Sequence, residues 1–178
     1  MEYEIIKEGN FEYLEVGEGE TLMLCHGLFG ALSNFSDLIE KFRHTHKVVV
    51  PILPLFDLDI LHTTVSGLEK HIAAFIEHKN YTNIHLLGNS LGGHVALVYI
   101  LKHPERVRSL TLTGSSGLFE NAMGDSYPKR GDYEYIKNKT AQTFYDPAVA
   151  TPALVDEVFE ITKNRIKVIK IIALAKSA

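Results

Sequence analysis

A single cysteine, Cys25, stands among the 178 residues, so no intrachain disulfide can form and nothing points to an oxidising compartment. Tryptophan is absent, and no apolar run approaches the roughly 20 residues that a membrane-spanning helix needs. The N-terminus, Met1-Glu2-Tyr3-Glu4, is acidic where a signal peptide would be basic. Positive charge is not in excess either: 18 Lys and Arg face 22 Asp and Glu, giving a net charge of −4. That balance leaves no electrostatic footprint for nucleic acid. From these absences we expect a cytoplasmic protein with neither a nucleic-acid nor a membrane partner.

What is present is ordinary globular composition, 46% hydrophobic and 22% charged, at a length that suits one domain. Residues 3–7 and 11–16 are rich in Tyr, Ile, Phe and Val and are split by Glu8-Gly9-Asn10, a hairpin signal. Apolar runs follow at 21–25, 48–50, 84–87 and 110–112. They are continuous rather than alternating, as expected of strands buried on both faces in a parallel sheet. Between them, Phe35, Leu38, Ile39 and Phe42 mark one helix, and Val65, Leu68, Ile72, Phe75 and Ile76 mark a second. Val95, Val98 and Tyr99 mark a third, which Pro104 stops. Strand and helix therefore alternate. The expected fold class is α/β, a mostly parallel sheet flanked by helices, occupying residues 1–117. Residues 118–132 have a loop composition, and 133–145 and 152–176 read as helices with no strand between them. We assign 118–178 to a helical cap or lid.

The sharpest chemical signal is Gly88-Asn89-Ser90-Leu91-Gly92-Gly93, preceded by an apolar strand and followed by a helix. In that context G-x-S-x-G reads as a nucleophile elbow. So sharp a turn strains the serine backbone, and the small residues two before and two after it relieve the crowding. The serine hydroxyl would then project above the sheet at a helix N-terminus, where developing negative charge is favoured. Two other readings compete. Ser90 could be a plain helix N-cap, or Gly88 and Gly93 could be the outer glycines of a dinucleotide loop. Against the loop, Ser90 replaces the middle glycine, and Leu110-Thr111 stand where an acidic residue belongs.

A second signal, Cys25-His26-Gly27-Leu28-Phe29-Gly30, directly follows the strand 21–25. Here the sequence resembles the α/β-hydrolase family, in which an H-G-x-x-G loop supplies half of the oxyanion hole. His103-Pro104-Glu105-Arg106-Val107, before the next strand, also matches that family's habits. The resemblance covers essentially the whole chain and implies backbone oxyanion donors at Leu28 and Leu91. It departs at Pro51-Ile52-Leu53-Pro54-Leu55-Phe56-Asp57, where many relatives carry a Gly-rich stretch; this chain has a stiffer, more apolar wall there.

The family's triads run in the order Ser, acid, His. All nine histidines here lie at or before position 103, and only His94 and His103 follow Ser90, both on the helix that it opens. His94 is expected to be a packed helix histidine with a local hydrogen-bond partner, and His103 to complement the helix dipole. His62 is the one stand-in base on the sheet's catalytic rim, against a solvated loop histidine. His44 and His46 lack the companions of a metal site. Glu120 and Asp125 follow the last strand but have no histidine to serve. The resemblance implies that the family continues beyond the lid with strands that carry the acid and the histidine, so we expect a chain truncated before them. The strand 107–113 would then expose an unpaired edge.

The resulting expectation is a serine hydrolase acting on a small-molecule ester or related acyl bond. Ser90 is its nucleophile, and Phe29, Phe56, Leu91, Leu118 and Phe119 line an apolar acyl pocket. No cofactor and no metal are expected, and Tyr127, Tyr133 and Tyr145 are candidates for specificity. The alternative is a non-catalytic binding module that keeps the hydrolase sheet and forms a homodimer through its exposed strand edge.

Overall fold

Six strands form one sheet in the computed structural model, which describes residues 3–28, 32–118 and 131–177. The strands are β1 (Ile6–Glu8), β2 (Phe11–Val16), β3 (Glu20–Cys25), β4 (His46–Pro51), β5 (Ile84–Asn89) and β6 (Val107–Thr113), in the spatial order β1-β2-β4-β3-β5-β6. The β1–β2 hairpin joins antiparallel to β4, whereas β4, β3, β5 and β6 run parallel. Parallel neighbours need crossovers, and these are the helices α1 (Ser36–Phe42), α2 (Val65–His78) and α3 (Leu91–Lys102). The mixed, mostly parallel sheet flanked by helices is the fold class expected from the sequence.

In β3 and β4 the continuous apolar runs have the reason inferred for them; β6 departs from it, with Ser109, Thr111 and Thr113 exposed. Met23 and Cys25 of β3 face a core shared with Leu68, Ile72 and Phe75 of α2 and with Val95 and Tyr99 of α3. Leu24, the residue between them, faces a second core with Phe35 and Ile39. One strand thus feeds both faces of the sheet. Each such side chain taken wholly from water contributes about 1.5–3 kcal/mol. At the N-terminus of α2 the Thr64 hydroxyl accepts from the Gly67 amide at 3.0 Å, a cap that starts the helix at the first apolar residue.

The chain divides into two compact units, one drawn from Met1–Glu120 with Ala173–Ala178, the other from Asn121–Ile172. In the second unit α4 (Tyr133–Ala141) and α5 (Pro152–Lys163) pack together. The Tyr133 ring meets Phe159 edge-on, and its hydroxyl donates to Asp156 at 2.7 Å. Two sequence expectations are corrected here. The helix expected over 133–145 ends at Ala141. The one expected over 152–176 is two helices, because Asn164 adopts an extended backbone (φ −86°, ψ 108°) that ends α5. Its side-chain oxygen accepts from the amides of Ile166 and Lys167, capping a new helix, α6 (Arg165–Ser177). No helix among the described residues is long and apolar enough to cross a membrane.

Candidate active site

The strand order creates the site. β3 and β5 are parallel neighbours, with Cys25 opposite Gly88, yet the chain leaves β3 to form β4 on one side and leaves β5 to form β6 on the other. In an open α/β sheet, the crevice at the carboxyl ends of two such diverging strands is where ligands bind. The segments that leave these two strands are those beginning at His26 and at Ser90.

Ser90 joins β5 to α3 with φ 52° and ψ −122°, a backbone region that side chains other than glycine rarely occupy. Four main-chain contacts hold it there. Its amide donates to the Thr113 carbonyl of β6 at 3.1 Å, and its carbonyl accepts from Gly93 at 3.0 Å, His94 at 3.3 Å and Ser116 at 3.2 Å. The preceding Asn89 reinforces the joint, donating from its side-chain amide to the Thr113 carbonyl at 3.0 Å. The Ser90 side chain makes no capping hydrogen bond to α3, so the N-cap reading loses its basis. Ser90 is half-buried.

Close packing explains the small residues around it. A methyl group added at Gly92 would stand 2.1 Å from the Cys25 carbonyl oxygen, and one at Gly88 would stand 2.5 Å from the Gly93 Cα. One added at Gly27 would lie 3.1 Å from the Ser90 Cβ. The 26–28 segment therefore runs directly beside the serine. Leu91, the first residue of α3, is buried, and Leu28 packs partly buried against the main core.

Sequence reasoning saw His26 only as part of a motif. The residue is 3% exposed, with Nδ1 2.7 Å from the Gly27 carbonyl oxygen, and the Leu53 amide donates to Nε2 at 2.9 Å. Burial holds its pKa below the ordinary value of 6.5. The available signal was a histidine at a strand end facing an apolar Pro-flanked stretch, but its partner, a backbone amide, leaves no trace in residue identities. The neighbouring Cys25 is no rival nucleophile: complete burial pushes its thiol up to about 12, so no thiolate forms near neutral pH.

Of the other candidates, Phe56 is partly buried against the main core, and Leu118, just after the segment that holds Ser116 to Ser90, is 65% exposed. Phe29, Phe119, Glu120, Asp125 and Tyr127 lie outside the described residues. His94 corrects an expectation: its Nδ1 is buried and meets no hydrogen-bond partner among the described residues. Its ring lies against Gly117, where an added methyl would stand 2.5 Å from Cδ2 and 2.8 Å from Nδ1. His62 is an exposed loop residue paired with Asp59 at 2.5 Å. His103 ends α3, its amide donating to Tyr99. Among the described residues no group of three His, Cys, Asp or Glu could hold a metal ion. A cavity of about 380 Å³ lies on the hairpin side, lined by Lys7, Glu12, Leu53, Asp57 and His71 among others, but not by Ser90.

Known proteins resemble the chain along this same stretch. The sequence model of the alpha/beta hydrolase fold matches residues 20–148. The chain is 30% identical over 161 residues to the dihydrolipoyllysine-residue acetyltransferase component of the acetoin cleaving system of Pseudomonas putida, an alignment covering 83% of this chain and 42% of that protein. It is 27% identical over 111 residues to a Pseudomonas putida 2-hydroxy-6-oxo-2,4-heptadienoate hydrolase, covering 58% and 40%. Among solved structures, an alpha/beta hydrolase enzyme from the sediment metagenome of the Mar Chica lagoon, Morocco, superposes with a TM-score of 0.75 at 38% identity. That match covers 98% of this chain and 65% of the other. The chain thus spans less than half the length of these two curated relatives.

Proposed function

Because this chain belongs to the α/β-hydrolase fold family, we propose that it carries the nucleophile of a serine hydrolase that cleaves an ester or related acyl bond. Ser90 Oγ attacks the substrate carbonyl carbon and passes its proton to a base. The amides of Leu28 and Leu91 hold the resulting oxyanion, stabilising charge that exists only at the transition state. Collapse of this intermediate expels the alcohol with a proton and leaves an acyl-serine, which water then hydrolyses. His94 and His103, the two histidines after Ser90, both lie on or at the end of α3. In this reading the acid and base of the triad come from outside these 178 residues. Phe29, Phe56, Leu118 and Phe119 are proposed to border the acyl group.

One observation carries this reading: Ser90 is held in a strained backbone at the carboxyl end of β5, its hydroxyl not used as a cap, with Gly27 packed beside it. The natural full-length protein, treated with a fluorophosphonate probe and digested, is expected to yield a Ser90 peptide bearing the phosphonyl adduct, and Ser90→Ala none. A wild-type protein that stays unmodified at Ser90 overturns the reading.

A second reading has one observation in its favour. β6 pairs only with β5 among the described residues, and its Arg108, Ser109, Thr111 and Thr113 are exposed. A non-catalytic module would use that edge to pair with a second copy. Light scattering that gives a dimer, together with an inert Ser90, favours the module; a labelled Ser90 favours the enzyme.

A further inference from the structure

We propose that His26 is a positioning residue whose ring, caught between the Gly27 carbonyl and the Leu53 amide, aims the Leu28 N–H at the oxyanion. The inference rests on Ser90 being the nucleophile and adds the group that sets one of its two oxyanion donors.

The tautomer follows from the partners. A backbone amide can only donate, so the Leu53 N–H, 2.9 Å from Nε2, requires a lone pair there. The proton of the neutral ring is then on Nδ1, which donates to the Gly27 carbonyl oxygen at 2.7 Å. That carbonyl and the Leu28 N–H belong to one peptide group, planar and trans, in which C=O and N–H point in opposite directions. By drawing the Gly27 oxygen towards itself, the ring turns the Leu28 N–H the other way. Gly27 in turn is packed against the Ser90 Cβ, so this peptide is turned right beside the nucleophile.

The ring is itself anchored. Leu53 is a buried core residue, and the amide of the preceding Ile52 donates to the Glu12 carbonyl of β2 at 2.8 Å. Hydrogen bonds at the adjacent residues Ile52 and Leu53 therefore tie β2 through the His26 ring to the Gly27–Leu28 peptide. With His26 only 3% exposed, water has little access to replace either contact. A ring protonated at both nitrogens would set an N–H against the Leu53 N–H and break this tie, and burial disfavours that charged form. A buried histidine that merely fills space needs neither contact, which gives the test its contrast.

The test uses the full-length protein as wild type, His26→Leu and His26→Asn. Leucine keeps apolar bulk but no donor; asparagine places an amide N–H near the Nδ1 position. Ser90 labelling in His26→Leu is expected to slow by about 10- to 100-fold per folded molecule, the scale on which small misplacements act. Ester turnover should fall through kcat with KM nearly unchanged, and His26→Asn should recover most of the loss even if it melts as low as His26→Leu. A folded His26→Leu that reacts as fast as wild type overturns the positioning role, and so does an asparagine variant no better than leucine. Should leucine prevent folding, nitrogen NMR of the wild-type ring decides instead: a proton on Nδ1 supports the inference, and one on Nε2 overturns it. An inert wild type sinks the serine-hydrolase reading first, and the two failures stay distinct.

Discussion

The Leu53 amide donates to His26 Nε2 across 2.9 Å, tying the segment after β4 to the segment after β3 through a ring shut off from water. A histidine so placed makes folding sensitive to acid. In the unfolded chain its pKa is near 6.5, and in the folded protein burial holds it lower. Half-buried His71 is shifted the same way by the same cause. Above pH 6.5 neither state binds the proton, and the shift contributes nothing. Below it the unfolded chain takes up protons that the folded protein refuses, so stability falls with pH until the depressed folded pKa is reached. Each histidine adds at most about 1.4 kcal/mol per pH unit in that window. Melting temperature measured from pH 7.5 to 5 is therefore expected to drop below pH 6.5, and to drop less steeply in His26→Asn, where His71 still contributes. A wild-type melting temperature unchanged across that range would refute this assignment.

Ser90 stores backbone strain, as the proposed elbow would require. A non-glycine residue in its backbone region costs about 1–3 kcal/mol. Glycine relieves that cost but adds about 0.5–1 kcal/mol of its own chain entropy. Ser90→Gly is thus expected to raise stability by about 1 kcal/mol while abolishing the phosphonyl adduct, and Ser90→Ala to abolish it with little gain. Urea denaturation of the three proteins measures the difference. If the glycine variant is less stable than wild type, the strain is not where the backbone angles place it.

Much of this was legible in residue types, for physical reasons that vary with the element. The strands could be read because a parallel strand buried on both faces must be apolar throughout, as Leu22-Met23-Leu24-Cys25 is. The elbow could be read because its glycines are enforced by contacts under 3 Å, which leave no alternative residue. The break at Asn164 was missed because Lys163 and Arg165 continue a helical pattern, and a single cap is a weak signal inside a long periodic run. The two anchors of His26 were invisible because both are main-chain groups, which every residue carries alike. The Nδ1 of His94, without a partner among the described residues, escaped for the opposite reason: a helix histidine normally finds a partner, and only coordinates show that Gly117 has taken the space beside it.

Glu69 of α2 is a carboxylate only 2% exposed, paired with Lys102 at the end of α3, and the His103 ring lies 3.9 Å from its second oxygen. Breaking such a pair strands a buried charge, whereas replacing both partners with apolar groups does not. Because the Lys102 side chain is 45% exposed, the full penalty of a buried pair is discounted. Lys102→Met is expected to cost about 2 kcal/mol. The double variant Glu69→Leu with Lys102→Met should return to within about 1 kcal/mol of wild type. Chemical denaturation of the single and double variants closes the cycle. A double variant as unstable as the single one would mean that packing, not charge, holds α2 to α3 at this point.

Gly92 offers the most direct test of how tightly the two loops of the site are pressed together. Its absent side chain leaves room for the Cys25 and His26 carbonyl oxygens, which would stand 2.1 Å and 2.5 Å from an added methyl. Backbone cannot swing aside as a flexible side chain can, so either α3 or the strand end must shift. Gly92→Ala is expected to lower stability by about 3 kcal/mol, the upper range for overpacking, and to slow Ser90 labelling, because the same shift parts the serine from Gly27. Gly9, in the hairpin turn, is the matched control. Nothing lies within 4 Å of an added methyl there, and only its φ of +59° resists alanine. Gly9→Ala should therefore cost about 1 kcal/mol and leave Ser90 reactivity at the wild-type level. If alanine at 92 is tolerated as easily as alanine at 9, the β3 loop does not press on the elbow, and the amides of Leu28 and Leu91, the proposed oxyanion donors, are not held by a shared contact.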